Sequence, residues 1–248
     1  MRRSRDFLAL TKPRVVLMVL VTTSVGFYLG AAGPPDWPRL ALTLLGTALA
    51  AGGTIALNQF LEREVDALME RTRRRPLPEG RLQPATALWF GTAITVTGLS
   101  VLLAVGSLPA LVTAATVGLY LFAYTPLKQR SPLCLLVGAV PGALPPVIGW
   151  VAAQGELGVG AWVLFGILFL WQLPHTLAIA RLYQDDYARG QIRLLPANRA
   201  AAEAQALTGC LALLAVGLLP TLLGLTGQVY LAGALTLGVG LLGCGVLE

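Results

Sequence analysis

Asn58, Glu62, Asp66 and Glu70 stand four residues apart in the stretch LNQFLEREVDALMERTRRRPLPEGRL, residues 57–82, where five acidic and six basic side chains share one connection. On a helix, four residues turn the chain by about 400°, so these side chains form one slowly drifting stripe with neighbours about 6 Å apart along the axis. Like charges in that register repel, more strongly where a helix leaves a low-dielectric phase, and a divalent cation is the natural counterweight. An amide and carboxylates are hard oxygen ligands of the kind that suits magnesium, which keeps waters and shares its shell with substrate phosphates. Arg71, Arg73, Arg74 and Arg75 follow at once, and guanidinium groups match phosphate oxygens bidentately. Acids holding a metal beside arginines holding phosphate would make a diphosphate site. Taken apart, the acids could simply solvate a helix end and pair with Arg63, Arg71 or Arg74, and the arginines could be a topology signal. Their combination is what points to chemistry.

A second charged loop, ARLYQDDYARGQIRLLP at 180–196, repeats the arrangement, with Asp185 and Asp186 among Arg181, Arg189 and Arg193. The bland alternative is a surface pair of Asp185 with Arg189 or Arg181, worth a few tenths of a kcal/mol. Between the two loops, YTPLKQRSP carries Lys128 and Arg130 after Pro126, which is expected to end a span. Lys128 could be a further diphosphate contact or an ordinary interfacial lysine. The only histidine, His175, lies in FLWQLPHTLAIA inside an apolar run. An ionisable group there must face a partner, a cavity or a ligand. Pro174 is expected to kink the helix beside it, with Trp171 and Gln172 one turn earlier. A neutral imidazole in that place could ligate a haem iron, act as a base, or hydrogen-bond a neighbouring helix. The segment GAVPGALPPVIGWVA is bend-prone and rich in small residues, which lets a flat ligand or another helix approach closely.

The elements that must position these residues are membrane helices. The 248 residues are 56% hydrophobic and 12% charged, and apolar runs of about 18 to 22 residues recur, each able to cross a core of roughly 30 Å. Spans are predicted at Arg14 to Ala32, Leu40 to Phe60, Pro84 to Gly106, Leu108 to Tyr124, Leu133 to Ala153, Val159 to Ala180, Ala204 to Leu225 and Val229 to Leu247. The fold class is therefore all-α, a polytopic transmembrane bundle of eight spans. The recurrence of an acid-bearing loop four spans on suggests two related four-helix halves around a central cavity. The basic start MRRSRDFLALTKPR is read as the flank of an uncleaved first span, because the run after it is long and has no cleavage site. Of the 18 lysines and arginines, all but Arg39 fall in that start or in the loops after the second, fourth and sixth spans. The amino terminus and both charged loops are thus placed in the cytoplasm. The net charge of +6 is a topology signal of this kind, which argues against nucleic-acid binding. Cys134, Cys210 and Cys244 fall inside spans without paired spacing and read as packing residues.

Four stretches, LTKPRVVLMVLVTTSVGFYL, ALNQFLEREVDALMERTRRRPLPEGRL, YTPLKQRSPLCLLVGAVPGALPPVIGWVA and FLWQLPHTLAIARLYQDDYARGQIRLLP, carry a close resemblance to the intramembrane aromatic prenyltransferase superfamily. Together they span most of the chain to Pro196. Asn58, Glu62 and Asp66 followed by Met69, Arg71, Thr72, Arg75, Pro76 and Leu77, with the cluster Trp171, Gln172, Pro174 and His175, resembles its haem-farnesylating branch. The resemblance implies an inner-membrane enzyme, one prenyltransferase domain over residues 1–248. It would join the farnesyl group of farnesyl diphosphate to a vinyl group of haem B, adding water, giving haem O and releasing diphosphate. Magnesium is the implied cofactor, and haem-modifying or oxidase-assembly proteins are the implied downstream partners. The implied catalytic residues are Asn58, Glu62, Asp66, Asp185 and Asp186, with Asn58, Glu62, Asp66 and Asp186 holding the metal. Arg71, Arg75 and Lys128 would contact the diphosphate, and His175 would contact the haem or ligate it axially. Two features depart from the family. Its second motif often has two acids four apart, whereas Asp186 is followed four later by Gly190, and the family usually has nine spans against the eight expected here, so either the protein is short or a carboxyl-terminal helix has been lost. A quinone-precursor acceptor would keep the enzyme class and change the substrate. A transporter would need its charges near the bilayer midplane, where only His175 stands.

Overall fold

Prolines mark where the long helices begin. Pro13, Pro38 and Pro84 each sit in a first turn, where the missing N–H would have had no partner. In the computed structural model, which describes residues 2–193 and 199–247, α1 spans Arg2–Thr11, α2 Pro13–Gly30, α3 Trp37–Leu61, α4 Arg63–Leu68, α5 Pro84–Val105, α6 Ser107–Gly118 and α7 Thr125–Leu127. They are followed by α8 Cys134–Ala143, α9 Pro145–Gln154, α10 Val159–Leu182, α11 Gln184–Arg189, α12 Arg199–Leu222 and α13 Gln228–Leu247. A π-helical segment, Leu119–Tyr124, joins α6 to α7. The end of the second charged loop, Leu194 to Pro196, and the side chain of Cys244 lie outside the described residues.

Among the described residues seven segments are long and apolar enough to cross a membrane: α2, α3, α5, the run Ser107–Leu127, the run Cys134–Gln154, α10 and Ala200–Leu222 of α12. The eighth expected span falls on α13, which is apolar over the shorter Gln228–Gly243. The protein is a multi-pass membrane protein, all-helical with seven such spans and one shorter apolar helix among the described residues. In lipid a helix satisfies every backbone N–H and C=O within its own segment.

Three local features differ from expectation. The basic amino-terminal flank is itself a helix, α1, held down by buried Leu10 and by a Gln59 Nε2 to Leu10 carbonyl bond of 2.6 Å. Its Asp6 also pairs with Arg81 of the first charged loop. Pro126 does not end the fourth span. The helix widens to π register and restarts as α7 with Pro126 in its first turn, where no N–H is needed. The fifth span is interrupted at Leu144, between α8 and α9, where Pro145 and Pro146 open a new helix. α10, by contrast, continues through Pro174.

The small residues of α9 serve close packing. A Cβ on Gly149 would overlap the Thr23 carbonyl, and one on Gly26 would overlap that of Pro146, so α2 and α9 meet backbone to backbone. Without a hydrophobic force between helices in lipid, that close contact is what holds these two helices together. It brings the junction of α1 and α2 to the same end of the bundle as both charged loops.

Candidate active site

The acid stripe survives a helix break. Glu62 is the hinge between α3 and α4, but its N–H bonds the Asn58 carbonyl at 2.9 Å and its own carbonyl accepts the Asp66 N–H at 2.8 Å. Helical periodicity is thus kept, and Asn58, Glu62 and Asp66 share one face. Glu70 does not join them. Met69 is extended, with φ −99° and ψ 134°, and Glu70 turns outward to Arg73 at 2.6 Å.

The three face a cavity of about 170 Å³. Arg71, Arg75 and Lys128 line it as well, as does Lys12 from the α1–α2 junction. Tyr120, Tyr124 and Tyr187 complete much of the wall. Asp66 Oδ2 lies 2.6 Å from Arg75 Nη1, and Glu62 Oε1 lies 2.7 Å from Lys128 Nζ. The Asn58 amide donates to Thr125 Oγ1 at 3.0 Å, and that hydroxyl donates to the Tyr120 carbonyl at 2.8 Å. With its nitrogen so used, Asn58 has its carbonyl oxygen left for a cation. Lys128 Nζ also stands 4.5 Å from the centre of the Tyr124 ring.

Four cations against two carboxylates leave the cavity with an excess of positive charge. Burial, with Arg75 nearby, lowers the Lys12 pKa to about 8. Burial raises the Asp66 carboxyl above the ordinary range, against the pull of Arg75 and with the help of Glu62. Burial opposes the charge on Lys128, yet Tyr124, Tyr120 and Glu62 carry its pKa above that of an ordinary lysine. An anion brought into this space relieves the excess.

Among the described residues no three His, Cys, Asp or Glu side chains are grouped to hold a metal ion by themselves. Asn58, Glu62 and Asp66 instead offer an amide and two carboxylates on one face. Such a set fits magnesium, which takes the rest of its octahedral shell from water and phosphate oxygens. Next to this polar space is a larger one of about 370 Å³ that shares Glu62, Lys128 and Ile192 with it. Its other walls are largely apolar, among them Leu61, Val65, Leu121 and Phe122.

The second loop is placed differently from the first. Asp185 is exposed. Asp186 is buried but does not line the cavity, and it accepts the N–H groups of Glu70 and Arg71, each at 3.0 Å, and Arg189 Nη2 at 2.6 Å. The Arg189 contact and those amides hold its carboxyl below the ordinary range. The ion pair of this loop thus uses Asp186, and not Asp185 as the bland reading had it, while Arg181 reaches Glu203 at 3.5 Å. His175 lies on an exposed face of α10, stacked on Trp171 with ring centres 4.6 Å apart, and does not line the cavity. Lys12, Tyr120, Tyr124 and Tyr187 were not among the residues expected at the site. A signal for three groups existed, since Tyr120, Tyr124 and Lys128 are spaced by four. Lys12 was read as a flanking charge of the first span.

Residues 19–247 match the UbiA prenyltransferase family. A protoheme IX farnesyltransferase of Solibacter usitatus is 46% identical over 256 residues, covering 98% of this chain and 87% of that protein. Another, of an Anaeromyxobacter species, is 47% identical over 244 residues, covering 97% and 82%. Among solved structures, a digeranylgeranylglyceryl phosphate synthase superposes with a TM-score of 0.83 at 16% identity, covering 100% of this chain and 88% of that one. A UbiA homolog from Archaeoglobus fulgidus bound to GPP and Mg2+ superposes with a TM-score of 0.72 at 15% identity, covering 98% and 85%.

Proposed function

The chain belongs to the UbiA prenyltransferase family, and we propose that within it this protein transfers the farnesyl group of farnesyl diphosphate to a vinyl group of haem B, adding water, forming haem O and releasing diphosphate. The observation that carries the reading is one polar cavity in which Asn58, Glu62 and Asp66 face Lys12, Arg71, Arg75 and Lys128, next to a larger apolar one. A diphosphate bearing a long hydrocarbon tail has those two halves. The acceptor follows from relatives at 46 and 47% identity that are named for it.

In this mechanism Arg71, Arg75, Lys12 and Lys128 bind the diphosphate oxygens and stabilise the charge that grows on them as the allylic C–O bond breaks. Fixed charges aimed at developing charge are the largest single contribution in many enzymes. Asn58, Glu62 and Asp66 would hold magnesium, which when bound supplies Lewis-acid stabilisation of the departing group. Leu61, Val65, Leu121 and Phe122 keep water from the electron-poor allylic carbon, the electron-rich vinyl group attacks it, and the cation this leaves on the other vinyl carbon takes up water and releases a proton. We assign His175, beside the Trp171 ring, to contact with the haem. Asp185 and Asp186 serve the site through the loop they belong to. The basic loops support a cavity on the cytoplasmic side, in keeping with a cell inner membrane enzyme.

The test is turnover by purified protein with farnesyl diphosphate, haem B and magnesium, read by mass spectrometry as hydroxyethylfarnesyl haem. Product that disappears on chelation is the expected result. Haem left unmodified, with an aromatic quinone precursor prenylated in its place, would overturn the acceptor and keep the enzyme class.

A further inference from the structure

We propose that in this chain the second charged loop is a brace for Arg71 of the first loop, and that Asp186 acts as a positioning residue instead of a second metal ligand. The inference rests on the reading of the cavity as a diphosphate site, because Arg71 is one of the cations lining it.

Three contacts converge on the same short segment. Asp186 is 6% exposed, and its two oxygens accept the neighbouring N–H groups of Glu70 and Arg71, one each at 3.0 Å. Two adjacent amides held by one carboxylate fix the direction as well as the position of a backbone, and bonds to an ionised acceptor are among the stronger ones. Arg189 adds a third bond to Oδ1 at 2.6 Å, so the carboxylate is committed on both oxygens. From the same loop, the Tyr183 ring lies 5.0 Å below the Arg71 guanidinium and steadies the side chain whose backbone Asp186 holds. The third contact is at Gly190. A Cβ there would stand 3.1 Å from Met69 Sδ and 3.3 Å from Val65 Cγ1. The position four residues after Asp186, where a second acid of the motif would stand, is therefore packed against the residue preceding Glu70.

These contacts also account for the backbone of the first loop. Met69 leaves helical geometry, which frees the part-buried amides of Glu70 and Arg71 for acceptors outside the helix. Asp186 supplies both and turns Arg71 toward the cavity while Glu70 faces out.

Hydrogen exchange of metal-free, substrate-free protein tests the brace directly. In Asp186→Asn the amides of Glu70 and Arg71 should exchange on the order of tenfold faster while those of α3 and α5 keep their rates. In turnover, the KM for farnesyl diphosphate should rise about tenfold, with kcat and the apparent magnesium constant within about twofold of the parent. In an Arg71→Ala background the same substitution should have little further effect, because it acts through Arg71. Parental exchange rates in Asp186→Asn would overturn the proposal. So would an apparent magnesium constant raised about tenfold that persists in the Arg71→Ala background, since that is how a ligand behaves. Tyr183→Ala offers the same KM split without touching a carboxylate, and Tyr183→Phe should restore the parental value. A parent that turns over no farnesyl diphosphate would defeat the functional reading and leave the exchange result to decide the brace.

Discussion

Asp66→Asn separates the chemistry of the first acid motif from its contribution to stability. The Asp66 side chain is 2% exposed and its Oδ2 lies 2.6 Å from Arg75 Nη1, while Arg75 is 19% exposed. Breaking a fully buried ion pair costs about 3–5 kcal/mol, mostly through the charge left behind. Arg75 lines an open cavity, so the loss is smaller, about 2 kcal/mol, which at this chain length lowers the melting temperature by about 4–8 °C. Arg75→Gln in the same chain removes the stranded charge and should recover most of that loss. Activity should not recover. With the carboxylate gone, kcat should fall by a factor of about 100 to 1,000 in both the single and the double variant. Thermal unfolding in detergent, followed by size-exclusion monodispersity, reads the first effect, and the haem turnover assay reads the second. A single variant as stable as the double would refute the ion-pair argument. Parental kcat at saturating magnesium in Asp66→Asn would refute the metal-holding role.

Lys12 gives the site a pH dependence. Its ammonium is depressed to about 8, so inorganic diphosphate should bind the metal-free protein several-fold more weakly at pH 9 than at pH 7, as measured by calorimetry. Lys12→Arg should flatten that slope, because arginine stays charged. Stability runs the other way: the unfolded chain keeps this proton up to 10.5, so Lys12 makes the fold more stable as pH rises from about 8 to 10.5. At the backbone contact of α2 with α9, Gly26→Ala should destabilise by about 1–3 kcal/mol. Gly33→Ala, which meets nothing within 4 Å, should leave the melting temperature unchanged. His175→Ala should weaken haem binding, read by absorbance titration, and leave diphosphate affinity at the parental value. Unchanged haem affinity would remove His175 from the site.

What could be read from the sequence was what repeats locally. Seven of the expected spans stand within a few residues of their predicted ends because lipid removes the alternatives to helix. Asn58, Glu62 and Asp66 were legible because their spacing of four persists across the hinge at Glu62 through consecutive helical bonds. The same spacing failed at Glu70. What turns that residue away is Asp186, 116 positions later, and no local periodicity carries that information. Lys12 was hidden for a related reason. Counted among the basic residues of a flank it looks like a topology charge, and only its left-handed backbone, φ 45°, between α1 and α2 returns it to the cavity.

Two of the buried aspartates make the point in chemical terms. Asp66 and Asp186 are the same residue type, each in a short helix just beyond a span, each in a loop rich in arginine. Asp66 is raised by burial despite Arg75, and its pair lies at the wall of the cavity. Asp186 is lowered by Arg189 and by two amides, and it faces the backbone of the other loop. The acid that burial disfavours as an anion is the one a metal cation can compensate. The acid already stabilised as an anion has both oxygens engaged and gives its charge to holding Arg71. The division of labour between the motifs therefore follows from which donors the fold delivers to each carboxylate, and Gly190, pressed on Met69, is the trace of it that the sequence does contain.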